Sequence, residues 1–387
     1  MRARISEARD DLERGVETGG PKDFGEESRG PRARVLPVLL AATQVSMRVV
    51  PWHRLLFELA IGKMERMHTS EANPLVSRDD LEALLVGVER RITDPPAGIF
   101  GPESITWRIN RESALFLGAG RAALLQLAHP WVAVALEQHS SLMANPIARF
   151  HNTFRVVFTM IFGSAGQALT AARSLHTLHT RIRGEMPSAV AGYSAGSRYE
   201  ANHVPALRWV YATLVESAVV AHECVLPPLT DLECETYYSE SRVLAGLFGI
   251  PAEALPGDWR ALRAYVAEMC VSEALGVDDR SRAMAQSLLS GAESWVKPPL
   301  WYRALTAKWM PERLREGFGL PLGAAEELAA LRAQRRLPRV YGTLPSSIRF
   351  VGPYLEARAR LAGRGAGWVT RASNRFWMGE ARMPFGE

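Results

Sequence analysis

The stretch SAGQALTAARSLHTLHTRIRG, Ser164 to Gly184, spaces its apolar residues as a helix does and not as a strand does. At about 100° per residue, Ala168, Ala171, Ala172, Leu175, Leu178 and Ile182 gather in one arc, while Thr170, Arg173, Ser174, Thr177, Thr180 and Arg181 take the opposite side. Ser164 followed three residues later by Gln167 forms a capping-box pattern at the start, and Gly184 suits a left-handed C-terminal position. The same projection separates two histidines. His179 falls inside the apolar arc, about 40° from Leu175, whereas His176 falls about 100° away, near the boundary. An imidazole among Leu and Ala must be hydrogen-bonded or coordinated, because burying it unpaired costs on the order of 1–3 kcal/mol. His176, at the edge, is expected to reach water.

The helical pattern continues on both sides. Upstream, Ser77 is expected to cap a helix running to about Ile92, and ITDPPAGIFGPES then breaks the chain with Pro and Gly. Glu112 to Ser140 reads as one long apolar helix kinked at Pro130, and Arg149 to Phe162 as a shorter one closed by Gly163. Downstream, Pro205 opens a long helix that ends before Pro227 and Pro228, and Thr230 with Glu233 repeats the capping box. Further helices are expected over roughly 258–275, 280–290, 300–316, 323–337 and 346–361. No run of alternating strands and no internal repeat stands out. The expected fold is all-α. GAGRAA, Gly118 to Ala123, sits inside a helical pattern with no preceding strand, so close helix packing explains it better than a nucleotide loop.

The ends differ in character. Residues 1–34 combine dense mixed charge with Gly and Pro, too little apolar surface to offset ordering entropy, and are expected to be a disordered tail. Residues 35–78 form a helical N-terminal extension whose apolar part, 36–68, is interrupted by Arg48, His53 and Arg54 before a membrane span accumulates. A packed or membrane-surface helix is the expectation there. Residues 363–387 are taken as a C-terminal tail.

The chain has 46 basic and 41 acidic residues, a formal charge of +5. They interleave without a basic stripe, which argues against a nucleic-acid face and leaves contact with anionic membranes open. Three cysteines, Cys224, Cys234 and Cys270, lack the spacing of a disulfide framework or thiolate zinc site. With no secretory h-region at the N-terminus, a cytoplasmic, reducing location with membrane association left open is expected.

Six of nine histidines fall between His129 and His203. The simplest account of each is a side chain satisfied by a hydrogen bond. His176 and His179 together could ligate zinc or two metals, but HExxH is absent and the ExxH motifs of a four-helix di-iron site are missing, which ranks that below a single haem ligand. LAHPWVAVALEQHSSL holds His129, Glu137 and His139. His129 is expected to help satisfy backbone groups freed by Pro130 at least as much as to act in catalysis. ARFHNTF sets Arg149 and Thr153 four apart, where a guanidinium and a hydroxyl can face one anionic group or bound oxygen; a surface salt bridge of Arg149 is the alternative. GxSxG, P-loop, CxxCH and strand-linked GxGxxG patterns are lacking.

FGPESITWRINRE, GAGRAALLQLAHPWVAVALEQHSSL, ARFHNTF, HTRIRG, ALRWVYATLVES and PLTDLECETYYSESRVLAGLFGIP occur in the order found in the rubber oxygenase (latex-clearing protein) catalytic-domain family. That family also holds an ER-bound oxygenase of fungal mycophenolic acid biosynthesis. The resemblance spans roughly Leu81 to Arg360 and implies a catalytic domain over 79–362 with a globin-like helical core, haem b as cofactor, and dioxygen chemistry on carbon–carbon double bonds. It implies His179 as the ligand of the haem iron. Arg149 and Thr153 match the family's Arg and Thr near the haem, with roles in positioning propionate, oxygen or substrate. Glu137 is the nearest candidate by position for the catalytic glutamate. Asn152 stands where rubber oxygenases carry lysine. The expected partners are dioxygen and a hydrophobic alkene-containing, isoprenoid or lipid-like molecule. A non-enzymatic haem or lipid carrier, and a non-haem metal oxidase or hydrolase built on the His-x-x-His pair, are the competing expectations.

Overall fold

Ser77 Oγ accepts a hydrogen bond from Asp80 N at 3.1 Å while the Asp80 carboxylate accepts from Ser77 N at 3.0 Å, and this reciprocal cap starts α1, Arg78–Glu89. The computed structural model describes residues 75–140, 146–291 and 297–385, all within one compact unit, His68–Glu387. The expected tail 1–34 and the apolar stretch 36–68 lie outside the described residues.

After α1 come α2 (Ile105–Asn110), α3 (Ala119–Leu127), α4 (Pro130–His139), α5 (Pro146–Phe162) and α6 (Ala165–His179). A short antiparallel hairpin, β1 (Arg183–Glu185) with β2 (Arg198–Glu200), leads to the long α7 (Val204–Val225) and to α8 (Asp231–Leu247). Then follow α9 (Trp259–Val271), α10 (Asp279–Ser290), α11 (Leu300–Trp309), α12 (Glu312–Gly317), α13 (Ala324–Tyr341), α14 (Ser346–Arg349), α15 (Gly352–Leu361) and α16 (Trp368–Met378). The protein is a predominantly helical, multi-helix domain.

The capping boxes expected at Ser164 and Thr230 both form, with Gln167 and Glu233 as reciprocal partners. Arg108 and the cap hold the Glu233 carboxyl down at about 2, the backbone amide of Thr230 being the largest cause. Elsewhere proline divides what periodicity joined. His129 is extended (φ −85°, ψ 115°) and Pro130 begins a new helix, so the expected kink is a complete break; Pro311 likewise separates α11 from α12.

Gly184 corrects a sequence expectation. α6 stops at Thr180 in a right-handed conformation, and Gly184 lies in β1 opposite Tyr199. A Cβ there would come within 2.6 Å of Tyr199 Oη and 2.9 Å of Cζ, so the residue is small because a buried ring lies against its backbone. The hairpin also qualifies the all-α expectation. Within 363–387, α16 packs on the domain: Trp377 stacks on Phe116 at 3.8 Å and Asn374 is buried.

α7 is the core helix, with α3, α8, α9 and α13 around it. Its Trp209 is fully buried and donates to Leu125 O at 2.9 Å. Gly118 lets α3 come close, because a Cβ would meet Ser217 O at 2.5 Å; the GAGRAA glycines serve packing, as expected. Among the described residues α7 alone is long and apolar enough to cross a membrane, and 67% of its apolar window is buried inside the protein.

Candidate functional site

α4, α5, α6 and α7 enclose a cavity of about 730 Å³. This is the size of a site for a cofactor or other medium-sized ligand, commonly about 300–1,000 Å³. Leu175, Leu178, His179 and Ile182 form one wall, and Val156 and Val157 of α5 a second. Leu207, Val210, Tyr211 and Leu214 of α7 supply a third, while Ala135, Leu136 and His139 of α4 stand at another edge. Pro384 and Phe385, just beyond α16, complete the lining.

The C-terminal part of the arc chosen by periodicity, Leu175, Leu178 and Ile182, is therefore cavity wall. Leu178 is 50% exposed and His179 half-buried because they face open space, while Ala168, Ala171 and Ala172 pack into the protein. His179 ends α6, where its ring reaches the cavity from the helix C-terminus. That end of the helix dipole favours an electropositive side chain.

His176 overturns its expectation. It is buried, at 8% exposure, and its Nε2 lies 2.9 Å from Val76 O. A carbonyl only accepts, so Nε2 carries the proton. Asn202 Nδ2 donates to His176 O at 3.2 Å, and Val76 N donates to Asn202 O at 3.0 Å. The three residues form a closed knot joining the start of α1, the end of α6 and the approach to α7. Helix projection missed it because the partner lies a hundred residues away.

The two histidines thus face different surroundings and do not converge. Among the described residues no group of three His, Cys, Asp or Glu side chains is placed to hold a metal ion. This removes support for a metal site built on the pair.

Thr153 and Asn152 line the cavity, as does Arg155. Arg155 donates through Nε and Nη2 to Met378 O at 3.2 and 3.0 Å, tying α5 to the end of α16. Arg149 lies in the first turns of α5, and its side chain is outside the described part. His139 also lines the cavity, with Nε2 3.0 Å from Tyr199 Oη. Tyr199 donates its one proton to Gln138 Oε1 at 2.7 Å, so His139 Nε2–H must be the donor to Tyr199. Burial, and then the Glu137 charge, raise the Tyr199 pKa. Tyr211 is 1% exposed with Oη lacking a partner among the described residues, and burial pushes its pKa well above the usual phenol value.

The structure does not bring Glu137 or His129 to this cavity. Glu137 is exposed and ion-paired with Arg280, which also binds Asp278 at 3.2 Å. His129 is 2% exposed, with Nε2 3.2 Å from Tyr193 Oη. Burial, and then His203, pull its pKa down to about 3, so it is a neutral core residue. It makes no side-chain cap to α4.

Sequence reasoning missed Arg155, Tyr199, Tyr211 and Phe385. Asn152, Arg155 and Val156 share the i, i+3, i+4 spacing of one helix face, a signal present in the sequence. The others carried none, because hairpin and C-terminal segment reach the cavity only through tertiary packing. A second depression, about 960 Å³ and lined by Arg121, Asp258, Trp259, Arg260 and Cys270 among others, contains none of the expected residues.

No curated protein and no solved structure matches the chain significantly. The family model described as "ER-bound oxygenase mpaB/B'/Rubber oxygenase, catalytic domain" matches residues 106–343, more than half the chain and the part that supplies most of the cavity. The chain therefore belongs to the mpaB and rubber oxygenase catalytic-domain family.

Proposed function

We propose that this protein is a haem b-dependent oxygenase that acts with dioxygen on a hydrophobic, alkene-containing molecule of isoprenoid or lipid-like character. Family membership supports oxygenase chemistry in general. The observation that carries the finer reading is His179, an imidazole on a largely aliphatic wall of a cavity of about 730 Å³.

The donor set fits a haem. Among the described residues no group of three His, Cys, Asp or Glu side chains converges to serve a bare cation, which needs several protein ligands, whereas a porphyrin iron can be held by the single imidazole of His179. Bound there, haem would supply activation of dioxygen. His179 would hold the iron, and Thr153, with Arg149 from the same helix, would position the polar edge of cofactor or substrate.

The remaining residues hold a substrate in place. Leu175, Leu178, Val157, Leu207 and Leu214 present apolar surface that favours an alkene chain and excludes water. His139 and Tyr199 keep a proton at the wall, donated from Nε2 to Oη and onward to Gln138. A globin-like arrangement around the haem and a catalytic domain over 79–362 belong to the same proposal, as does a cytoplasmic location. Glu137, paired with Arg280 outside the cavity, is given no catalytic role.

The test is the absorption spectrum of the purified chain. A Soret band that His179→Ala abolishes and His176→Ala retains is the expected result. A folded, colourless protein that takes up no haem on reconstitution would overturn the proposal. Haem retained without oxygen uptake across alkenes and polyprenoids would make the protein a carrier.

A further inference from the structure

α16 turns an apolar stripe away from the protein. Placed at about 100° per residue, Trp368, Ala372, Phe376 and Val369 share one arc of about 100°, opposite the buried Asn374 and Met378. Trp368 is 75% exposed, Phe376 54% and Val369 37%. Surface helices ordinarily put their polar side there, and the core side of this one is already occupied. Fraying does not explain the exposure. Trp377 is stacked on Phe116, Arg155 donates to Met378 O, and His151 Nε2 lies 3.0 Å from Phe376 O.

The charge around the stripe is one-sided. Between Ala357 and Phe385 the chain carries six arginines, Arg358, Arg360, Arg364, Arg371, Arg375 and Arg382, against one carboxylate, Glu380. Arg358, Arg364, Arg375 and Arg382 are exposed. A second run without carboxylates, residues 328–355, carries Arg332, Arg335, Arg336, Arg339 and Arg349; what sets the segment from Ala357 to Phe385 apart is that its arginines accompany the exposed rings of Trp368 and Phe376. A short helix with outward Trp and Phe flanked by arginines matches an interface between water and acyl chains. The aromatic rings would sit at headgroup depth and the guanidinium groups would meet lipid phosphates.

We propose that α16 docks the protein on an anionic lipid surface. The charge complementarity selects lipid over a second copy of this chain, which would bring the same arginines face to face. Docking is independent of the haem reading. One consequence does rest on it: Pro384 and Phe385, which follow α16, line the cavity, so a docked helix holds its rim against the bilayer where an apolar substrate dissolves.

The experiment is flotation of the full chain with vesicles of phosphatidylcholine alone and of phosphatidylcholine mixed with phosphatidylglycerol. The expected result is partition onto the anionic vesicles that weakens with salt. Trp368→Ser with Phe376→Ser should lower that partition by about tenfold or more, and Arg364→Gln with Arg375→Gln should remove the preference for anionic lipid, both at unchanged Tm. Absence of vesicle binding would overturn the proposal. So would binding left intact by the Trp368 and Phe376 substitutions, or a dimer in solution that those substitutions dissociate.

Discussion

At the scale of the residue, the two histidines of α6 separate by what they touch. His176→Ala would leave Val76 O without its donor in a buried knot, at a cost of about 1–3 kcal/mol. The expected outcome is a lower urea midpoint with haem uptake intact. His179→Ala, in a half-buried position on an open cavity, should do the reverse. His129 supplies a pH dependence. Its pKa falls from 6.5 to about 3 on folding, so between those values the unfolded chain binds a proton that the folded chain refuses. Stability is full above pH 6.5 and falls as the pH drops through that window, with a slope approaching ~1.4 kcal/mol per pH unit. His129→Phe should flatten the loss measured by urea unfolding between pH 7 and pH 4. Part of the slope should persist, because burial also lowers the pKa of His222.

At the scale of the element, caps and close crossings carry the predictions. Ser164 Oγ accepts from Gln167 N, and Gln167 Nε2 donates to Pro384 O at 2.9 Å. Ser164→Ala should destabilise the protein by about 1 kcal/mol, read in thermal unfolding, by freeing the first turn of the helix that carries His179. Gly118→Ala meets backbone, not a flexible side chain, where α3 crosses α7. It should cost about 1–3 kcal/mol through overpacking, while Gly166→Ala, with nothing near the added methyl, should be tolerated. Tm values of the two variants distinguish these outcomes.

At the scale of the whole molecule, the cavity draws on residues from Gln126 to Phe385. Truncation after Gly379 should therefore enlarge and open it, seen as faster loss of bound haem or greater uptake of an apolar dye, with α16 still helical. The helices, their caps and the arc containing His179 were legible locally, because hydrogen bonds and side-chain facing within a helix depend on neighbours three and four residues away. The C-terminal part of that arc faces a cavity while Ala168, Ala171 and Ala172 pack into solid core, which periodicity has no means of distinguishing: both demand apolar residues. The breaks at Pro130 and Pro311 were visible as prolines but not as full separations, since neighbouring packing decides between a kink and a new helix. His176 with Val76, Glu137 with Arg280, Gly184 against Tyr199 and the C-terminal residues at the cavity were settled only by tertiary contacts across long sequence separations. The sequence by itself determined which segments are helices and that His179 lies on the apolar arc, because those are short-range properties. Which polar groups are satisfied elsewhere, and so withdrawn from the site, only the packed structure decided, because burial forces each such group to find its partner wherever the chain brings one.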